Sequence, residues 1–210
     1  MKITKFEHAC FAVEQNGESL VVDPGNFTTD FVVPDNVVSV VITHEHGDHL
    51  DKDLLKKIIE KNSNAVIVAH PDIIAQLGEF KTKAVNVNDK TKVGAFELEF
   101  FGGQHATIAK GFPVIANLGV LINGRLYYPG DSFTIPDQPV EILALPIGAP
   151  WLRIDEVIDF LAAIKPKLAF PTHDAVLSDI GKSLPDRLLP SIAEKVGGSY
   201  RRIDDSPLEA

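Results

Sequence analysis

His44-Glu45-His46-Gly47-Asp48-His49 packs three imidazoles and the Asp48 carboxylate, beside Glu45, into six residues. The apolar run Val37-Val38-Ser39-Val40-Val41-Ile42 leads into it. Leu54, Leu55, Ile58 and Ile59 follow at helical spacing, with Asp51 as the expected N-cap. The pattern predicts a buried strand, a loop of metal-ligating side chains and then a helix. His44 and His46 lie two apart at a strand end, so period two points both rings to one side, where they can bind one ion together. Gly47 lets the backbone turn, and Asp48 and His49 can then face a second position. Glu45 is out of phase and should point away. Histidine and carboxylate suit zinc, and also manganese or iron.

Six residues cannot close two sites, so further ligands must come from elsewhere. The chain holds only seven histidines. His105 follows a strand-like stretch ending at Phe101, and His173 follows another, Leu168-Ala169-Phe170. Asp131 sits in Tyr128-Pro129-Gly130-Asp131-Ser132, after Leu126-Tyr127-Tyr128. All three stand where a strand stops and a loop begins, and open α/β sheets build their sites at such ends. The Asp131 carboxylate could bridge two ions.

Outward from these residues the chain alternates strands and helices. Strands are expected around 3–6, 10–14 and 19–23, with Asn16-Gly17 as a hairpin turn, then at 65–69, 96–101, 114–122, 126–128, 142–145 and 168–170, with a closing strand at 199–202. Helices are expected from Asp51, from Pro71 to about Leu77, from Asp155 to Ile164 and from Pro185 to Val196. The polar tail from Asp204 to Ala210 is expected to fray. No linker of disordered composition divides the chain, so residues 1–210 read as one domain with two βα halves that part near residue 110.

The 210 residues are 45% hydrophobic and 23% charged, enough for a full core. A net charge of -9 argues against nucleic acid as a partner, since phosphate binding needs a basic face. No stretch approaches the roughly 18 apolar residues of a membrane span, and the start carries no signal-peptide pattern, so a cytoplasmic location is expected. The single cysteine, Cys10, lies in an apolar run and reads as a buried small hydrophobe.

His44-x-His46-x-Asp48-His49 with His105, Asp131 and His173 resembles the metallo-β-lactamase superfamily. Val21-Val22-Asp23-Pro24-Gly25 resembles the first turn of that family, where an aspartate supports the metal loop. Glu7-His8-Ala9-Cys10-Phe11 and Leu145-Pro146-Ile147-Gly148 are similar to its small bacterial metal-dependent hydrolases, a group related to ascorbate-6-phosphate lactonase. The resemblance implies an α/β fold, a four-layer αββα sandwich of two mixed sheets with outer helices and the metals at one edge. It implies one ion on His44, His46 and His105, a second on Asp48, His49 and His173, and Asp131 between them. It also implies that Asp23 accepts an imidazole N–H and fixes the ring. Two departures stand out. His46 occupies a position that is glutamate in the flavodiiron branch, and Cys10 is not where many β-lactamases of the family carry a cysteine.

The expected function is a hydrolase with two divalent ions, zinc first and manganese or iron as alternatives. Ions about 3.5–4 Å apart can hold a hydroxide between them, having lowered the water pKa from ~15.7 toward 7. It would attack an ester, lactone or phosphoester of a small-molecule substrate, with Asp48 orienting the water. The alternatives are a nuclease of the same fold or an iron-dependent oxidoreductase. His8 is expected to open a strand and either to line the pocket or to make a structural hydrogen bond. Trp151 is expected as a pocket wall or a packing residue, His70 as a helix cap, and Arg153 as a solvated helix start.

Overall fold

The structure is a computed structural model that describes residues 1–203 and 206–210. In chain order its elements are β1 (Lys2–Lys5), β2 (Phe11–Gln15), β3 (Glu18–Val22), β4 (Val37–Ile42), α1 (Lys52–Lys61), β5 (Val66–Ala69), α2 (Pro71–Ile74), β6 (Thr82–Ala84), β7 (Lys90–Val93), β8 (Phe96–Gly102), β9 (Leu118–Ile122), β10 (Leu126–Tyr128), β11 (Ile142–Pro146), α3 (Ile154–Ile164), β12 (Leu168–Thr172), α4 (Asp179–Lys195), β13 (Ser199–Tyr200) and β14 (Leu208–Glu209). The strands form two sheets, ordered β14-β1-β2-β3-β4-β5-β6 and β13-β12-β11-β10-β9-β8-β7. Each is mixed. β3 to β6 run parallel in the first sheet, and β10 to β13 in the second. The chain passes from one sheet to the other between Ala84 and Lys90, ahead of the division expected near residue 110.

Alternation along each strand separates three apolar layers. Val13, Val22, Val41 and Val68 face inward and meet Phe96, Leu98, Phe100, Val120, Tyr128 and Phe170 of the other sheet. Their neighbours Ala12, Val21, Val40, Ile42 and Ile67 face outward and pack under Leu55 and Ile58 of α1. On the far side Leu121, Tyr127, Leu143 and Leu145 pack under Val157, Phe160 and Leu161 of α3 and Leu189 and Ala193 of α4. The result is the expected αββα sandwich. Cys10 is buried in the α1 layer.

The direction of the strands positions the site. β3 and β4 are parallel, and so are β10, β11 and β12. β8 and β10 each run antiparallel to β9, so they point the same way as one another. The C-terminal ends of β3, β4, β8, β10 and β12 thus carry Asp23, His44, His105, Asp131 and His173. Two backbone bonds join the sheets nearby, Leu118 N to Thr43 O at 2.9 Å and His173 N to His8 O at 2.9 Å.

Several local expectations need correction. β9 begins at Leu118 rather than Val114, because residues before Asn117 serve a loop in which His105 N donates to Ile115 O at 3.0 Å. α4 begins at Asp179, six residues before Pro185. The Ser178 hydroxyl caps it by accepting from Gly181 N, and Pro185 and Pro190 are accommodated inside. In the tail, Asp204 and the residue after it lie outside the described residues. Leu208 is buried and β14 pairs with β1, Ile3 opposite Leu208, so the chain end is a sheet edge instead of a frayed end. His8 is not in a strand. It sits between β1 and β2 with φ at +55°.

Candidate metal centre

The loop from Thr43 to Asp51 is held by the turn after β3. Asn26 N donates to Gly47 O at 2.8 Å and Asp51 N to Pro24 O at 3.0 Å. A Cβ on Gly25 would lie 1.9 Å from the backbone C and O of Asp48, so only glycine allows this approach. Asp51 caps α1 by accepting from Asp53 N and Leu54 N. Glu45 turns outward to Gln76.

Four buried imidazoles share one arrangement. Asp23 accepts at Oδ2 from both the Thr43 hydroxyl, at 2.6 Å, and His49 Nδ1, at 2.7 Å. The Thr43 proton is committed to Asp23, so its oxygen accepts from His44 Nδ1 at 3.1 Å. His105 Nδ1 donates to Ala106 O at 2.5 Å, and His173 Nδ1 to Gly148 O at 2.6 Å. Each ring donates from Nδ1, which turns its Nε2 toward the others. The Nε2 atoms of His49, His105 and His173 are buried without a hydrogen-bond partner, as is Asp131 Oδ1. Unsatisfied buried polar atoms are costly unless something else satisfies them.

These atoms converge in two groups. His44, His46, His105 and Asp131 each offer an atom such that all lie within 4.8 Å of one another, and so do His8, Asp48, His49 and His173. His44 Nε2 and His46 Nδ1 are 3.1 Å apart. Asp131 lies between the groups, with Oδ2 3.3 Å from His105 Nε2 and 3.1 Å from His173 Nε2, and Oδ1 3.2 Å from His49 Nε2. All seven side chains expected as ligands are therefore within reach of this one edge. His44, His49, His105, Asp131 and His173 are buried, while His46 and Asp48 are half-buried and form the opening to solvent.

The charges follow from this crowding. Burial opposes ionisation of Asp131, but the facing His49, His105 and His173 rings outweigh it and hold the carboxyl well below its ordinary range. Burial likewise opposes charge on His49, yet Asp131 and Asp23 push the ring well above the usual histidine value. Burial and the neighbouring imidazoles push His44 well down. A site of converging imidazole nitrogens and ionised carboxylates, in which a divalent ion would replace the proton on His49, fits divalent metal.

His8 has the opposite tautomer from the four inward rings. Ala175 N donates to its Nδ1 at 3.3 Å, so its Nε2 bears the proton and donates to Asp48 Oδ2 at 3.1 Å. It braces a carboxylate and has no lone pair to offer. Trp151, in the loop between β11 and α3, donates its indole N–H to Asp131 Oδ2 at 2.8 Å. Sequence reasoning missed Thr43 and Asn117. Buried Asn117 donates to Pro129 O and accepts from Asp131 N, both at 2.9 Å, and so fixes the Asp131 turn. Its position just before a strand was the one available signal. His70 caps α2 through Asp72 N, and Arg153 is the solvated N-cap of α3.

A family profile described as "Beta-lactamase superfamily domain" matches residues 2–173. The chain is 37% identical over 183 residues to Protein Rv0786c of Mycobacterium tuberculosis, covering 85% of this chain and 86% of the relative. It is 28% identical over 207 residues to a UPF0173 metal-dependent hydrolase of Carboxydothermus hydrogenoformans, covering 87% and 90%. Igni18, a metallo hydrolase from Ignicoccus hospitalis, superposes with a TM-score of 0.76 over 100% of this chain and 98% of its own, at 19% identity, a likeness of fold.

Proposed function

The chain belongs to the metallo-β-lactamase superfamily, and from that premise we propose that it is a metal-dependent hydrolase acting on a small ester, lactone or phosphoester with two divalent ions, zinc first. His44, His46 and His105 would hold one ion and Asp48, His49 and His173 the other, with Asp131 reaching both. Divalent ions bound there supply Lewis acidity and bring a water to ionise near neutral pH. The observation that carries this reading is the set of four imidazoles that are all fastened outward at Nδ1 and so turn their Nε2 atoms inward.

The chain's own residues do the rest. Asp23 and Thr43 fix the tautomers of His49 and His44, so no ring must reorient when a ligand arrives. His8 holds Asp48 by Oδ2. Asp48 Oδ1 has no hydrogen bond among the described residues and lies at the mouth, where it can orient a water and take its proton. Lactones belong in the substrate class because residues 7–11 and 145–148 resemble the lactonase-related group. No helix among the described residues is long and apolar enough to cross a membrane, and a cytoplasmic small-molecule enzyme is the reading that goes with this composition.

The test is a hydrolysis panel of lactones, acyl esters, thioesters and aryl phosphodiesters on protein reconstituted with zinc, manganese or iron. Turnover with at least one of these metals, abolished by chelation, is expected. Iron content with no hydrolysis would move the assignment to an oxidoreductase. Salt-dependent binding of single-stranded RNA with phosphodiester cleavage would move it to a nuclease.

A further inference from the structure

Trp151 stands in the loop that leaves β11. Its Nε1 lies 2.8 Å from Asp131 Oδ2, the same oxygen that approaches His105 and His173. Indole has one polar atom, a donor, so it cannot ligate a metal. Its ring is wedged in place. The ring centroid is 5.3 Å from that of Phe133, which stands 5.2 Å from Phe160 of α3. On the other side it meets the edges of His105 at 6.0 Å and His173 at 6.2 Å. The same loop supplies Gly148 O to His173 Nδ1. One short segment thus offers an acceptor to an imidazole and a donor to the shared carboxylate. The terminal torsion of aspartate is broad and nearly two-fold, so the carboxylate needs an outside restraint to keep Oδ2 toward His105 and His173 and Oδ1 toward His49.

We propose that Trp151 is a positioning residue of the metal centre, its indole N–H fixing the rotation of the Asp131 carboxylate between the two ligand clusters. This rests on the two-ion reading above. It goes beyond a pocket wall or a packing role, for which the ring alone would serve.

Trp151 is the only tryptophan, so ¹⁵N-labelled protein gives a single indole N–H resonance. In metal-free wild type that resonance is expected downfield with slowed solvent exchange. In Asp131→Ala it should move upfield and exchange faster. Trp151→Phe keeps an aromatic ring and removes the donor. Its zinc affinity, read by competition with a chelator, should fall about 10- to 100-fold, the range for loss of an outer hydrogen-bond partner, while the metal-free variant melts near wild type. Wild-type zinc affinity in Trp151→Phe, or an indole signal indifferent to Asp131→Ala, overturns the positioning role alone. Wild type that binds no zinc overturns the two-ion reading and this proposal with it.

Discussion

On the His44 side of the centre, two of the three imidazoles are fastened by their immediate neighbours. His44 leans on Thr43 and His105 on Ala106, each one residue away. On the Asp48 side every group is fastened from a distance. His49 is held by Asp23, 26 residues away, His173 by Gly148, 25 away, and Asp48 by His8, 40 away. The rings of one side are therefore braced almost locally and the groups of the other by remote partners, although both sides draw side chains from both sheets. Disturbing a remote brace should empty the Asp48 side first, and disturbing the shared Asp131 should empty both.

The largest effect tests the shared group. Asp131→Ala should remove nearly all metal-dependent hydrolysis and reduce bound zinc on both sides, and His46→Ala should also remove nearly all turnover. Full turnover in either purified variant contradicts the ligand assignment. This is also where the sequence was most readable. Strand-end positions marked His105, Asp131 and His173, which the fold brings to one edge beside the 44–49 loop. The dense 44–49 stretch identified itself. Period-two alternation and helical spacing marked strands and helices, and the family resemblance supplied the four layers.

What stayed hidden were the braces other than Asp23. Nothing in His8 foretells a partner 40 residues on, and Thr43 and Asn117 are common polar residues whose worth comes only from tertiary contact. Likewise Ser178 outweighed Pro185 as a helix start, and Leu208 found an edge strand that a polar tail does not advertise.

The next effect separates the two sides. Gly25→Ala forces a methyl against the Asp48 backbone. It should cost about 1–3 kcal/mol of stability, as overpacking does, and leave one tightly held zinc where two are expected in wild type. Unchanged stoichiometry and melting would show that the loop has slack, and the comparison would lose its steric basis.

His8→Ala is milder. It should weaken the second zinc about 10- to 100-fold and leave the first nearly unaffected. An equal loss at both sides would argue that His8 serves general stability.

The smallest effect is in pH. Burial pushes His8 down to about 4, against an ordinary 6.5. Between these values the unfolded chain takes a proton at this position that the fold refuses, so metal-free wild type loses stability as pH falls from 6.5 toward 4. His8→Gln lacks that proton site. Its stability should fall by about 2 kcal/mol less over the same window, measured by urea denaturation at each pH. Parallel pH profiles would remove His8 from the account.

Zinc counted per chain, after metal-free protein is reloaded and dialysed, tests the central claim most directly. Two equivalents in wild type and one in His173→Ala are predicted. A wild type that retains no zinc, or a His173→Ala variant that still retains two, would contradict a paired centre built from these side chains.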